Sequence, residues 1–166
     1  MMRRIAGLRI AALCCCFLAL AACSKKNTPD LESNSGGAES ASPGSERDFA
    51  INVGDRIYFI VDQSDLTPEA QETLRRQAAW LRQYPNVSIQ VEGHADERGT
   101  REYNISLSAR RATATRNFLI AQGVEGNRIS SIAYGKERPV ALCDAEQCWS
   151  QNRRAVTVIT GGAASG

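Results

Sequence analysis

Val87-Ser88-Ile89-Gln90-Val91-Glu92-Gly93-His94-Ala95-Asp96-Glu97-Arg98-Gly99-Thr100 changes character halfway along. Val87, Ile89 and Val91 alternate with polar residues, which predicts a half-buried strand ending near Gly93. From His94 to Arg101 the chain is charged and small, as a loop is. A helix then starts around Glu102 to Asn104 and runs to Gly123, a residue suited to the left-handed position that ends a helix. Strand, polar loop and helix start in this order place a cluster of functional side chains at the carboxyl end of a strand.

The flanking sequence repeats the alternation. Arg56 to Val61 is apolar, aromatic and β-branched, and reads as a first strand. Thr67-Pro68 follows as a helix cap with proline at the first helical position. That helix carries Ala70, Leu74, Ala78 and Leu81 on one side, extends to about Gln83 and cannot pass Pro85. Arg128 to Tyr134 predicts a third strand, Gly135 to Asn152 a long loop holding Pro139 and two cysteines, and Ala155 to Ile159 a last strand. The order β-α-β-α-β-β predicts an α/β sandwich, with helices packed on one face of a mixed four-stranded sheet.

Before this domain lie two segments of different composition. Arg3, Arg4 and Arg9 precede the apolar run Ile10 to Leu20, and Leu20-Ala21-Ala22-Cys23 follows. This is the layout of a secretory signal, and its end resembles the lipobox of bacterial lipoproteins. A transmembrane anchor is the competing reading, but Ile10 to Ser24 is shorter than the roughly 20 residues a span needs. The lipobox implies removal of residues 1–22 and acylation of Cys23, with palmitate-type chains that hold the protein on a membrane; Ser24 rather than aspartate at the second mature position points to the outer one. Acyl burial contributes about 0.8 kcal/mol per CH2, so three chains make the attachment nearly permanent. Residues 25–47 are rich in Ser, Gly, Ala and Glu, with Leu31 the only large apolar side chain. They read as a tether with a reach of roughly 25 to 30 Å. The predicted organisation is therefore signal 1–22, lipidated start and linker 23–47, domain 48–162 and a flexible tail 163–166.

Without Arg3, Arg4 and Arg9, 17 basic side chains face 18 acidic ones, a net charge of −1. Nothing in this balance asks for a nucleic-acid partner. Arg110, Arg111 and Arg116, and again Arg153 and Arg154, read as solvated faces or sheet-edge structural pairs. Of the six cysteines, Cys14, Cys15 and Cys16 leave with the signal and Cys23 takes lipid, leaving Cys143 and Cys148. In an oxidising compartment these predict a disulfide worth about 2 kcal/mol. A zinc site is the alternative, using both thiols and the lone His94, but it reaches only three ligands without a carboxylate. No other cofactor or metal is expected.

Glu92, His94 and Asp96 could share a strand face and suggest a hydrolase. No serine or cysteine nucleophile accompanies them and no metal set completes, so an enzyme is not expected. His94 reads as a structural hydrogen-bond donor.

The run Gly93-His94-Ala95-Asp96 through Glu102-Tyr103-Asn104 to Arg110-Arg111-Ala112 resembles the OmpA-like peptidoglycan-binding domain, and is similar to its peptidoglycan-associated lipoprotein branch. Tyr58-Phe59-Ile60-Val61-Asp62, Tyr134-Gly135-Lys136-Glu137-Arg138-Pro139 and Asn152-Arg153-Arg154-Ala155-Val156 agree with further family stretches, in the right order over about Ile57 to Ile159. Ile60 and Val61 depart from the common pattern and leave Asp62 as that strand's ligand contact.

The resemblance implies that Asp96 accepts the ammonium, and Arg111 grips the carboxylate, of meso-diaminopimelate in the peptidoglycan stem peptide. A planar guanidinium matches a carboxylate with two bonds. A salt bridge between Asp96 and Arg111 is the alternative. Asp62 and Asn104 would supply hydrogen bonds and Leu107 an apolar wall, unless Leu107 is plain helix core. Glu102 and Tyr103 lie where a protein partner could dock. The family further implies TolB and other Tol proteins as partners, an outer-membrane location with the domain facing the periplasm, and a Tol-Pal role in envelope integrity and cell division.

Overall fold

The computed structural model describes residues 41–165. The signal, the lipobox with Cys23 and most of the linker lie outside the described residues. The elements are α1 (Glu46–Asp48), a wide helical turn over Phe49–Gly54, β1 (Arg56–Tyr58), α2 (Pro68–Gln83), β2 (Ser88–Gly93), α3 (Arg101–Ala121), β3 (Ile129–Ala133), α4 (Glu146–Asn152) and β4 (Arg154–Gly161).

The four strands form one mixed sheet in the order β1-β4-β2-β3. β4 runs antiparallel to both β1 and β2, while β2 and β3 are parallel and joined through α3. Pairing sets Ile57 opposite Ala155, and Ile89 opposite both Ile159 and Ile129, so one face of the sheet is a continuous apolar surface. Leu74 and Leu81 of α2 and Leu119 of α3 join Ile57, Ile89, Val91 and Ile129 in the buried core.

α2 begins as its sequence predicts: Thr67 Oγ1 accepts from the Ala70 N–H, and Pro68 stands at the first position. α3 is capped by Thr100, whose hydroxyl accepts from the Tyr103 N–H. α3 comes unusually close to β2. A Cβ on Gly93 would lie 2.0 Å from the Ser108 carbonyl oxygen, so only glycine lets this turn of α3 sit on the end of β2.

Four predicted boundaries are corrected. β1 ends at Tyr58 rather than Val61, because the chain leaves the sheet to form the wall of a cleft, with Phe59 N–H still donating to the Arg153 carbonyl at 2.9 Å. The stretch predicted as a loop from Gly135 to Asn152 contains α4. The fold begins before Asp48: Ser45 is buried, and Asp48 Oδ2 accepts from the Gly44 N–H at 2.9 Å and from the Trp80 indole at 2.8 Å. Nor is residue 163 the start of a free tail, since the Ala164 N–H donates to the Gly44 carbonyl at 3.0 Å and Ser45 bridges Ala164.

Candidate functional site

A cleft of about 250 Å³ opens where the segment after β1, the loop after β2 and the first half of α3 meet. Val61, Asp62, Asp96, Arg98, Gly99, Tyr103, Asn104, Leu107, Arg111 and Arg153 line it. The ligand candidates Asp62, Asp96, Asn104, Leu107 and Arg111 thus come together from three separate stretches of sequence.

The loop carrying Asp96 is held from several sides. His94 N–H donates to the Arg154 carbonyl and Ala95 N–H to the Gly135 carbonyl, at 2.9 and 2.8 Å. Lys136 Nζ donates to the carbonyls of Glu97 and Gly99, and Asn104 Nδ2 to that of Arg98 at 2.7 Å. Asn104 and Leu107 are both buried, one helical turn apart on α3.

Arg111, fully buried on the same helix face, spreads its guanidinium across three segments. Nε donates to the Gln63 carbonyl, Nη1 to His94 and Nη2 to Ile60, at 2.9, 2.9 and 3.1 Å. It lies over the Phe59 ring, 5.1 Å from its centre. Burial, reinforced by the neighbouring charge of Arg153, pushes its pKa down to about 10, still far above neutrality. Three of its five N–H groups are used on carbonyls, which fixes the fork in place beside the cleft.

Asp96 pairs with Arg98 and Arg153, not with Arg111. Oδ1 accepts from the Arg98 backbone N–H at 3.1 Å and from its Nε at 3.2 Å; Oδ2 accepts from Arg98 Nη2 at 2.6 Å and Arg153 Nη1 at 3.3 Å. Burial opposes its charge, but the bonds from Arg98 and then Arg153 outweigh it and hold the carboxyl below the ordinary range. Across the cleft, Asp62 adopts a left-handed backbone with φ +58° and accepts the Tyr103 hydroxyl at 3.0 Å. Glu102 and Tyr103 themselves are exposed at the rim.

Arg111, Arg153 and Arg154 correct the reading of solvated side chains, since all three are buried, while Arg153 does make structural pairs, with Asp96 and Glu146. Arg153 donates to the Phe59 carbonyl, to Asp96 and to both oxygens of Glu146 on α4. Arg154 donates to the Arg138 carbonyl. Val61, Arg98, Gly99 and Arg153 are the cleft residues that sequence reasoning missed. Arg153 has no local signal, since its acceptor Phe59 lies 94 positions away.

His94 also departs from its expected role. Neither ring nitrogen has a hydrogen-bond partner among the described residues; Nε2 stands 3.5 Å from Glu92. Its imidazole stacks on Tyr134, and burial, together with Arg154 and Arg138, pushes its pKa down to about 4. The ring is neutral at pH 7. Cys143 and Cys148 form a disulfide with Cα atoms 5.6 Å apart, which takes both thiols out of the zinc reading. No cluster of metal-ligating side chains occurs among the described residues.

The cleft is therefore lined by the carboxylates of Asp62 and Asp96, the guanidinium groups of Arg98, Arg111 and Arg153, and the apolar side chains of Val61 and Leu107. Such a surface can hold a small zwitterion, but it lacks an activated nucleophile.

Known proteins resemble this chain over most of its folded part. Residues 58–154 match the model of the OmpA family. A peptidoglycan-associated lipoprotein of Agrobacterium fabrum is 62% identical over 147 residues, covering 87% of this chain and 83% of that protein. One of Rhizobium meliloti is 61% identical, covering 89% and 85%. The crystal structure of the peptidoglycan-associated lipoprotein from Burkholderia pseudomallei superposes with a TM-score of 0.62 at 39% identity, covering 64% of this chain and 90% of that one.

Proposed function

The chain belongs to the OmpA family, in its peptidoglycan-associated lipoprotein branch, and from that membership we propose that it binds peptidoglycan non-covalently through diaminopimelate of the stem peptide. It is a binding protein, not an enzyme. In this reading Asp96 takes the ligand's ammonium and Arg111 contributes to its carboxylate seat, while Asp62 and Asn104 hydrogen-bond the peptide and Leu107 packs on its methylenes. The observation that carries the reading is the meeting of a buried carboxylate and a rigidly held guanidinium in one open cleft. A ligand bearing an amine and a carboxylate on one carbon matches that pair, and a lysine-type stem lacks the carboxylate.

The remaining parts of the proposal follow from the sequence. Acylated Cys23 anchors the protein in the outer membrane, residues 23–47 supply reach, and the domain faces the periplasm, tethering membrane to wall within a Tol-Pal system active in envelope integrity and cell division. TolB is the expected protein partner. Glu102 and Tyr103, exposed on the first turn of α3, give it a rim beside the cleft. Co-sedimentation with purified sacculi tests the core of the proposal: diaminopimelate-type sacculi pull the protein down and lysine-type sacculi leave it in solution. Equal sedimentation with both would overturn the diaminopimelate assignment.

A further inference from the structure

The carboxylate of Asp96 has no acceptor capacity left for a ligand. A carboxylate offers about four lone-pair positions, and Asp96 already receives four donors: the Arg98 backbone N–H, Arg98 Nε, Arg98 Nη2 and Arg153 Nη1. An incoming ammonium must therefore displace one of them.

The four differ in freedom. The Arg98 backbone N–H is fixed by the loop. Arg153 is buried and tied to the Phe59 carbonyl and Glu146. The Arg98 guanidinium alone is partly exposed, at 40%, and it has a support besides Asp96: in the same position it lies over the Trp149 ring, 4.2 Å from the centre. Trp149 is itself fixed, its indole donating to Glu97 at 2.8 Å.

Resting on the diaminopimelate reading above, we propose that Arg98 is a displaceable cap on Asp96 and the residue that sets selectivity between stem peptides. The ligand's ammonium takes the place of the guanidinium on Asp96. The freed guanidinium stays on Trp149 at the edge of the cleft, where it meets the ligand's carboxylate beside Arg111, which has three of its five N–H groups on carbonyls. Diaminopimelate supplies both halves of this exchange. A lysine-type stem supplies the ammonium but leaves Arg98 without a new partner, so it has to break a charge-assisted contact with no return.

The test is calorimetric titration of the full-length protein in detergent, wild type and Arg98→Gln, with a diaminopimelate stem peptide and its lysine analogue. Removing the cap raises affinity for the lysine peptide about tenfold, the size of one charge-assisted hydrogen bond at a partly exposed site. The diaminopimelate peptide gains less or loses affinity, because it gives up its carboxylate contact with Arg98, so the preference for diaminopimelate over lysine shrinks by about tenfold in the variant. A lysine affinity that is unchanged or lower in Arg98→Gln overturns the proposal. The Arg98 Nε–H resonance gives a second readout: it shifts as diaminopimelate peptide is added if the guanidinium leaves Asp96, and a static resonance at saturation counts against displacement. If the wild type binds neither peptide, the peptidoglycan reading itself has failed, an outcome distinct from failure of the cap.

Discussion

Arg111 Nη1 donates to the carbonyl oxygen of His94 over 2.9 Å, joining the middle of α3 to the residue that follows β2. With its bonds to Gln63 and Ile60, this makes the guanidinium the buried post around which three chain segments fold. Replacing Arg111 by alanine leaves three carbonyls without their donor and opens a cavity, so it costs stability as well as binding. Arg111→Ala is expected to lose about 3 kcal/mol or more, read from urea unfolding. A stability within about 0.5 kcal/mol of wild type, the range of ordinary surface changes, would show the post to be dispensable.

Gly93 determines how close α3 can lie to β2. A methyl group there would meet the Ser108 carbonyl at 2.0 Å, and backbone cannot yield as a side-chain tip can. Gly93→Ala is expected to destabilise by about 3 kcal/mol, near the upper end for overpacking, and to lower the thermal midpoint. An unchanged midpoint would mean that α3 shifts freely.

His94 gives stability a pH dependence of defined sign. Its folded pKa, about 4, lies below the unfolded value near 6.5. Between these values the unfolded chain holds a proton that the folded chain does not, so stability falls as pH drops from 6.5 towards 4. From pH 7 to pH 5 the loss is about 2 kcal/mol. His94→Phe keeps the stack on Tyr134 and flattens this part of the curve. Chemical denaturation at both pH values checks it, and an equal slope in the variant would remove His94 as the cause. The depressed carboxyl of Asp96 acts in a separate window: its contribution is present above the unfolded value of 3.8 and is lost as pH falls through the lower folded pKa.

Glu102 is exposed in the first turn of α3, outside the cleft lining. Glu102→Lys reverses a charge at the rim and is expected to weaken TolB binding about tenfold, while muropeptide affinity is almost unchanged. Its effect on α3 is confined to an unfavourable cation at the helix start, about 0.5 kcal/mol. Surface plasmon resonance against both partners separates these effects; equal loss of both would mean one shared determinant.

Local chemistry made most of the fold legible. The Thr67-Pro68 cap and the spacing of Ala70, Leu74, Ala78 and Leu81 describe α2, and the alternation of Val87, Ile89 and Val91 describes β2, because in each case the neighbours in sequence create the pattern. The ligand candidates were legible only through the family resemblance. What stayed hidden depends on distant partners. Ser45 and Gly44 look like linker, yet Asp48 and Ala164 fix them. α4 has no side-chain cap, and the disulfide from Cys143 closes onto Cys148 in its first turn. Arg153 and Arg154 look solvated, since nothing beside them announces the carbonyls of Phe59 and Arg138 that allow their burial.

The most direct measurement is calorimetric titration of the full-length protein in detergent with a diaminopimelate stem peptide, comparing wild type with Asp96→Asn. The substitution keeps the shape of the side chain and removes the charge that receives the ammonium, without touching the Arg111 post. Binding by the wild type and a loss of at least about 2 kcal/mol in the variant, with the fold retained, is the predicted result. Undiminished binding by a folded Asp96→Asn protein would contradict the assignment of this cleft.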